Sequence, residues 1–141
     1  MNLIRVMPAK GQDMQTSIFL AKLIGPVLLA GAVGLFVNAA AHRAMAQEFL
    51  KSPALIYLSG ILTMTAGVAI VLTHNVWAAD WRGLITLFGW LGAVGGAARI
   101  ILPAQVRSFG EAMLKSQAAM LIGGAIWLAI GALLSYVGYF R

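Results

Sequence analysis

The sequence predicts an all-α integral membrane protein: four transmembrane helices, arranged as two tandem parallel two-helix repeats with short amphipathic connectors. Three observations predict it. The composition is 61% hydrophobic and 10% charged, against roughly half apolar and a quarter charged in ordinary globular domains. Four apolar runs, each of about 20 residues or more, divide the chain. The sequence also matches itself without gaps when Gly25 is laid on Gly89, a shift of 64 residues.

Composition excludes several chemistries. There is no cysteine, so disulfides, thiolate nucleophiles, cysteine-ligated zinc and iron–sulfur clusters are ruled out. The net charge of +6 is not a nucleic-acid signal. Its basic residues fall in the short polar segments, where they orient membrane proteins and meet anionic head groups.

Residues 1–16 show no periodicity and are expected as a flexible or interfacial N-terminal tail; residues 17–141 form the four-helix bundle. The first span, "SIFLAKLIGPVLLAGAVGLFVNAA", covers 17–40. Pro26 lies inside it, and membrane helices tolerate that with a kink. Lys22, the run from Leu23 to Val37 and Ala44-Met45-Ala46 also have the outline of a signal peptide. The self-match argues against cleavage, because it makes this segment the counterpart of the third.

The connector "AHRAMAQEFLKS" follows. Met45 and Phe49 share one face, and Arg43, Gln47, Glu48 and Lys51 are polar. The second span, 53–73, is "PALIYLSGILTMTAGVAIVLT". The turn "THNVWAADWR" leads to the third span, 83–102, "GLITLFGWLGAVGGAARIIL". The second connector, "QVRSFGEAMLKS", puts Val106, Phe109 and Met113 on one face and Arg107, Glu111 and Lys115 off it. Both read as interfacial helices; Glu48–Lys51 and Glu111–Lys115 have ion-pair spacing. The fourth span, 118–140, is "AAMLIGGAIWLAIGALLSYVGYF".

The self-match is more than shared apolar composition. Arg43 falls on Arg107, and Leu50-Lys51-Ser52 on Leu114-Lys115-Ser116. Gly31 falls on Gly95, Gly60 on Gly124 and Gly67 on Gly131. Each half crosses twice, so the halves are parallel rather than inverted. Both chain ends are then expected on one side, in a bacterial inner (plasma) membrane. Which side is open, since basic residues divide five against five.

Lipid gives helices no hydrophobic reason to associate, so small residues must allow close approach. Gly60, Gly67, Gly92, Gly96, Gly124 and Gly131 are the expected packing positions. The four carboxylates (Asp13, Glu48, Asp80, Glu111) all fall outside the middle of a span. Proton- or cation-coupled transporters commonly place one there. His42 and His74 end successive spans, about 30 Å apart across the bilayer, too far to share one haem. No catalytic residue, metal or cofactor is expected.

Lys22, Arg99, Arg43, Lys51, Arg107 and Lys115 are candidate lipid or anion contacts. The densest cluster of chemistry is the turn. His74, Asn75, Trp77, Asp80, Trp81 and Arg82 form a candidate ligand or partner loop. Each also has a structural use: Asn75 in a left-handed turn, Asp80 capping the third helix, both tryptophans at head-group level and Arg82 on lipid phosphate.

Phe49 to Gly60, then His74, Asn75, Trp77, Asp80 and Trp81, then Ile85 to Leu91 carry a resemblance. The pattern F-L-K-x-P-A-L-x-Y-L-S-G, H-N-x-W-x-x-D-W, I-T-L-x-G-W-L resembles an uncharacterised family of small bacterial multi-pass membrane proteins. It covers residues 17–102 and implies a multi-pass architecture, with no activity attached. The functional expectation is a non-enzymatic scaffold or accessory, modulatory subunit of a membrane complex. Its partners are the bilayer and a membrane protein or a second copy, not nucleic acid. The alternative is a small oligomeric transporter or channel, with Asn38, Thr63, Thr65, Thr86 and Arg99 lining a path. A haem-binding or enzymatic protein ranks last.

Overall fold

The computed structural model describes residues 9–141, with side chains from residue 13. Among these residues there are six helices and no strand: α1 (Ala9–Val37), α2 (Ala39–Lys51), α3 (Pro53–Thr73), α4 (Trp81–Ile101), α5 (Pro103–Lys115) and α6 (Gln117–Phe140). Four are long and apolar enough to cross a membrane: Asp13–Val37, Pro53–Thr73, Trp81–Ile101 and Gln117–Phe140. At 1.5 Å per residue each reaches about 30 Å or more.

Helix α1 reaches back into the segment expected as a tail. Residues 1–8 lie outside the described residues, and α1 begins at Ala9 rather than near residue 17. Adding residues to a formed helix needs no new nucleus, and residues 9–16 contain no proline. Ser17 also bonds back to the Asp13 carbonyl at 2.6 Å.

The breaks between helices follow from capping chemistry. Asn38 stops α1 before the expected residue 40, and its side chain accepts from the Ala41 amide to start α2. Ser52 ends α2 and caps α3 through the Leu55 amide at 3.3 Å, with Pro53 at the first helical position. Leu102 precedes Pro103, which bars it from helical geometry. Ser116 accepts from the Ala119 amide at 3.2 Å and opens α6.

The helices form two tight pairs rather than one even bundle. α1 packs against α6, α3 against α4, and the connectors α2 and α5 against each other. Within each pair the chains run in opposite directions. α1 therefore begins and α6 ends at the same end of the molecule as the 74–80 turn. There the pairs meet: Leu20, Ala21 and Leu28 of α1, Ile85 of α4 and Leu134 of α6 form the buried core, with Ile24, Ile70 and Phe88 against it. At the other end the connectors hold the pairs apart. A 13-residue helix is about 20 Å long, twice the 8–10 Å between packed helices.

Both pairs close on glycine. A Cβ on Gly67 would strike the Ala93 amide and the Gly89 carbonyl; one on Gly96 would strike the Met64 amide. Gly60 lies against Gly96, Arg99 and Ile100, and Gly92 against Gly67. In the other pair a Cβ on Gly131 would come 2.7 Å from the Leu29 amide, and one on Gly25 2.6 Å from the Ser135 amide. The contacts also share a register. Gly124 meets Leu35 and Phe36, and Gly60 meets Arg99 and Ile100. Gly131 meets Leu28 and Leu29, and Gly67 meets Gly92 and Ala93. Gly25 meets Leu134 and Ser135, and Gly89 meets Ile70 and Val71. In all three cases the same 64-residue shift relates one set to the other.

Pro26 is accommodated without interrupting α1. Lacking an N–H, it leaves the Lys22 carbonyl, four residues earlier, without a helix partner. The Tyr139 hydroxyl donates to that carbonyl at 3.1 Å from α6. The Lys22 ammonium lies 5.9 Å from the centre of the same tyrosine ring, a cation–π distance.

Two stability experiments follow from this packing. Gly67→Leu should cost about 1–3 kcal/mol or more in detergent unfolding, since neither backbone can retreat. Gly95→Ala, with open space at its Cβ, should change stability by less than about 0.5 kcal/mol. Tyr139→Phe should cost about 1 kcal/mol. In a Pro26→Ala background the same change should cost clearly less, because residue 26 then supplies the missing N–H; an unchanged cost in that double-mutant cycle would break the assignment.

Candidate functional site

The turn between α3 and α4 starts with a buried histidine. Thr73 ends α3, and the His74 amide bonds to the Ile70 carbonyl at 2.6 Å. That cap swings the imidazole inward, where it is 2% exposed. Its Nε2 lies 2.6 Å from Ser17 Oγ of α1, and its Nδ1 lies 3.0 Å from Thr86 Oγ1 of α4. One ring thus ties together three of the four spanning helices.

Hydrogen counting fixes the tautomer. The Thr86 hydroxyl donates to the Val76 carbonyl at 2.8 Å and accepts from the Val76 amide at 3.0 Å. Its single hydrogen is used, so toward His74 it can only accept, and Nδ1 must carry a proton. Ser17 stands between two acceptors, the Asp13 carbonyl at 2.6 Å and His74 Nε2. With a neutral ring, Ser17 donates to Nε2. With a protonated ring, Nε2 donates to Ser17, and the hydroxyl turns to Asp13. Both charge states find partners; what opposes protonation is desolvation. Burial lowers the His74 pKa from the ordinary 6.5, with smaller influences from its own backbone, Asp13 and Arg82.

A serine hydroxyl on a histidine nitrogen has the outline of a nucleophile and its base. Here Ser17 is fully buried and the far nitrogen is held by a threonine rather than a carboxylate. The arrangement is a closed hydrogen-bond knot. Sequence reading missed it because Ser17 lies far along the chain from His74. Thr86, just across the turn, is close enough in sequence to be suspected, but the sequence suggests it only as a path-lining residue.

The remaining turn residues divide. Asp80 caps α4, accepting from the Arg82 amide at 2.9 Å. The Arg82 side chain folds back onto the same carboxylate, Nη2 to Oδ2 at 2.8 Å, instead of reaching outward to lipid phosphate. That guanidinium holds the Asp80 carboxyl below its ordinary range. Asn75 is not left-handed: no non-glycine residue among those described has positive φ. The His74 amide bond and the Thr86 hydroxyl already shape the turn. Trp77 is 68% exposed. Trp81 is partly buried and packs against the core, on the same helical stripe as Ile85 and Phe88. Trp81 and Arg82 also line a cavity of about 380 Å³, with Met14, Ile18, Asp80, Val137 and Arg141.

The cationic candidates fall at both ends. Lys22 is at the turn end, over Tyr139. Arg99, Arg43, Lys51, Arg107 and Lys115 are at the connector end. Arg107 pairs with Glu111 at 2.9 Å, and neither expected pair, Glu48–Lys51 or Glu111–Lys115, is among the ion pairs of the described residues. The arginine fork, one turn before Glu111, takes the carboxylate. Arg43 donates through Nη2 to the Leu114 carbonyl of α5. His42 belongs to α2, with Nδ1 3.2 Å from the Asn38 carbonyl, at the opposite end from His74. No group of three His, Cys, Asp or Glu side chains that could hold a metal exists among the described residues.

The lowered pKa sets a pH window. Above 6.5 the ring is neutral whether folded or unfolded, and its contribution to stability is complete. As pH falls below 6.5 the unfolded chain takes up a proton before the folded one does, and the contribution is lost down to the folded value. Unfolding scans between about pH 8 and about pH 5 should show wild-type stability declining below this point. In His74→Gln that part of the slope should vanish; an unchanged slope would assign it to another group.

Set against known proteins, the chain matches no family model, no curated protein and no solved structure.

Proposed function

We propose that this chain is a non-enzymatic membrane protein of the bacterial inner membrane, acting as a scaffold or accessory subunit of a larger membrane complex. The observation that carries the reading is the use to which its polar side chains are put. Thr86 is enclosed in the His74 knot. Thr65 bonds back to the Ile61 carbonyl at 2.8 Å, and Asn38 caps a connector. The stem of Arg99 rests on Gly60. Asn38, Thr65 and Thr86, three of the five residues that would line a transport path, are therefore spent on structure, and the seams between paired helices are glycine against backbone. That favours the scaffold over the oligomeric transporter or channel.

The outer faces support an assembly role. Trp90, Trp127 and Tyr136 stand 43%, 50% and 62% exposed, and Gly95 and Gly123 have nothing within 4 Å of a Cβ position. A further spanning helix could come close there, as small-residue surfaces permit. The architecture belongs to the same proposal: two parallel halves, residues 17–73 and 81–140, derived from one duplicated unit. The shared register of glycine contacts supports it, as do the core pairs Ala21 and Ile85, Ile24 and Phe88, and Ile70 and Leu134, each separated by the same shift. The H-N-x-W-x-x-D-W pattern fits the same setting, its histidine and aspartate organising the join between halves.

The test is purification of the full chain from native membranes in mild detergent, with mass and composition of the eluting species measured. A stoichiometric membrane-protein companion is expected. A stable lone chain, with none retained after cross-linking in membranes, would remove the reading.

A further inference from the structure

At the connector end, α2 and α5 flank an open cavity of about 580 Å³. Its walls carry Arg43, Gln47 and Lys51 from one connector and Glu111 and Lys115 from the other, with Leu50 and Leu114 between them. Glu111 is paired with Arg107, so its charge is answered from outside the cavity. Lys51 and Lys115 have no carboxylate within 4.0 Å among the described residues, and Arg43 meets only a backbone carbonyl. The two helices also end here, and each carbonyl end carries about half a negative charge. Three full cations against these leave an excess of about two positive charges.

Height matters as much as charge. Lys51 stands two residues before Pro53, where one span begins, and Lys115 two before Gln117, where another begins. Both therefore lie at the head-group level. The opposite faces of the connectors present Met45, Phe109 and Met113, which are 56%, 69% and 44% exposed. Such helices lie along the interface with that apolar side in lipid.

We propose that this cavity binds a phosphate-bearing anion, supplied as the head group of an anionic phospholipid. Lys51 and Lys115 would contact the phosphate as flexible point charges, Arg43 would add its fork, and the leucines would flank the glycerol. The proposal rests on the membrane placement and not on the accessory role, so its failure would leave that role standing.

The full chain, stripped of lipid in mild detergent, should be titrated with phosphatidylglycerol, with phosphatidylcholine and with inorganic phosphate, binding being read by native mass spectrometry and by thermal shift. Phosphatidylglycerol should bind more tightly than phosphatidylcholine. Lys51→Gln alone should weaken it about fivefold, and Lys51→Gln with Lys115→Gln about twentyfold or more. Both lysines are exposed, so these variants should fold, and circular dichroism checks that they do. Arg141→Gln, at the far end, should change nothing. Equal binding of the two lipids, or undiminished phosphatidylglycerol binding in the double variant, would overturn the site. Saturable binding of inorganic phosphate that needs the lysines, without lipid preference, would overturn the lipid as its source.

Discussion

In a bilayer a leucine gains little by leaving lipid for another helix. Two helices stay together only if their surfaces meet more closely than lipid chains can meet either of them. Here that closeness comes from removing side chains at the seam. Gly67 meets the backbone around Gly89, Gly92 and Ala93, and Gly131 meets Leu28 and Leu29. Dispersion between atoms in contact, weak for each pair, sums along the length of the helices. The rest of the architecture depends on these seams. They decide which helices pair, α1 with α6 and α3 with α4.

A second constraint shapes everything between the seams. No backbone donor or acceptor can be left bare at membrane depth. At most of the breaks in the helical ladder a side chain takes over; at Leu102, before Pro103, none does. Asn38, Ser52, Asp80 and Ser116 cap the helices that follow them, and Tyr139 serves the carbonyl that Pro26 abandons. At the turn, Thr86 satisfies both backbone groups of Val76 and still holds His74. A fold so poor in polar residues has few to spare for chemistry.

Much of this was legible in the sequence, and the reasons differ by element. The four spans stand out because length and hydropathy are local properties. The end of α3 at Thr73 and the cap at Asp80 could be read because capping involves residues a few positions apart. Asn38 reads as part of the first span, yet it ends α1 earlier than hydropathy suggests, because the apolar alanines after it begin the next helix instead. The glycine positions could be named but not their partners. Ser17 could not be assigned at all: it is a small polar residue at the edge of an apolar run, and its role exists only because α1 crosses beside the end of α3. The Arg82–Asp80 pair is not read from the sequence, although it too is local. A carboxylate two residues away is a nearer partner than any lipid phosphate.

The two ends of the molecule are built on different principles. At the turn end, the helix pairs are joined by a buried apolar core and by one imidazole bonded to α1 and α4. Separating them there would break the Ser17–His74 bond and open the buried imidazole nitrogen and the apolar core together, and a buried polar group that loses its partner is costly. At the connector end nothing comparable exists. Among the described residues, α5 has no buried residue and α2 only Leu50. A cavity with excess positive charge lies between them. A change in the spacing of the two pairs would therefore hinge on the His74 knot and be felt most at the connectors.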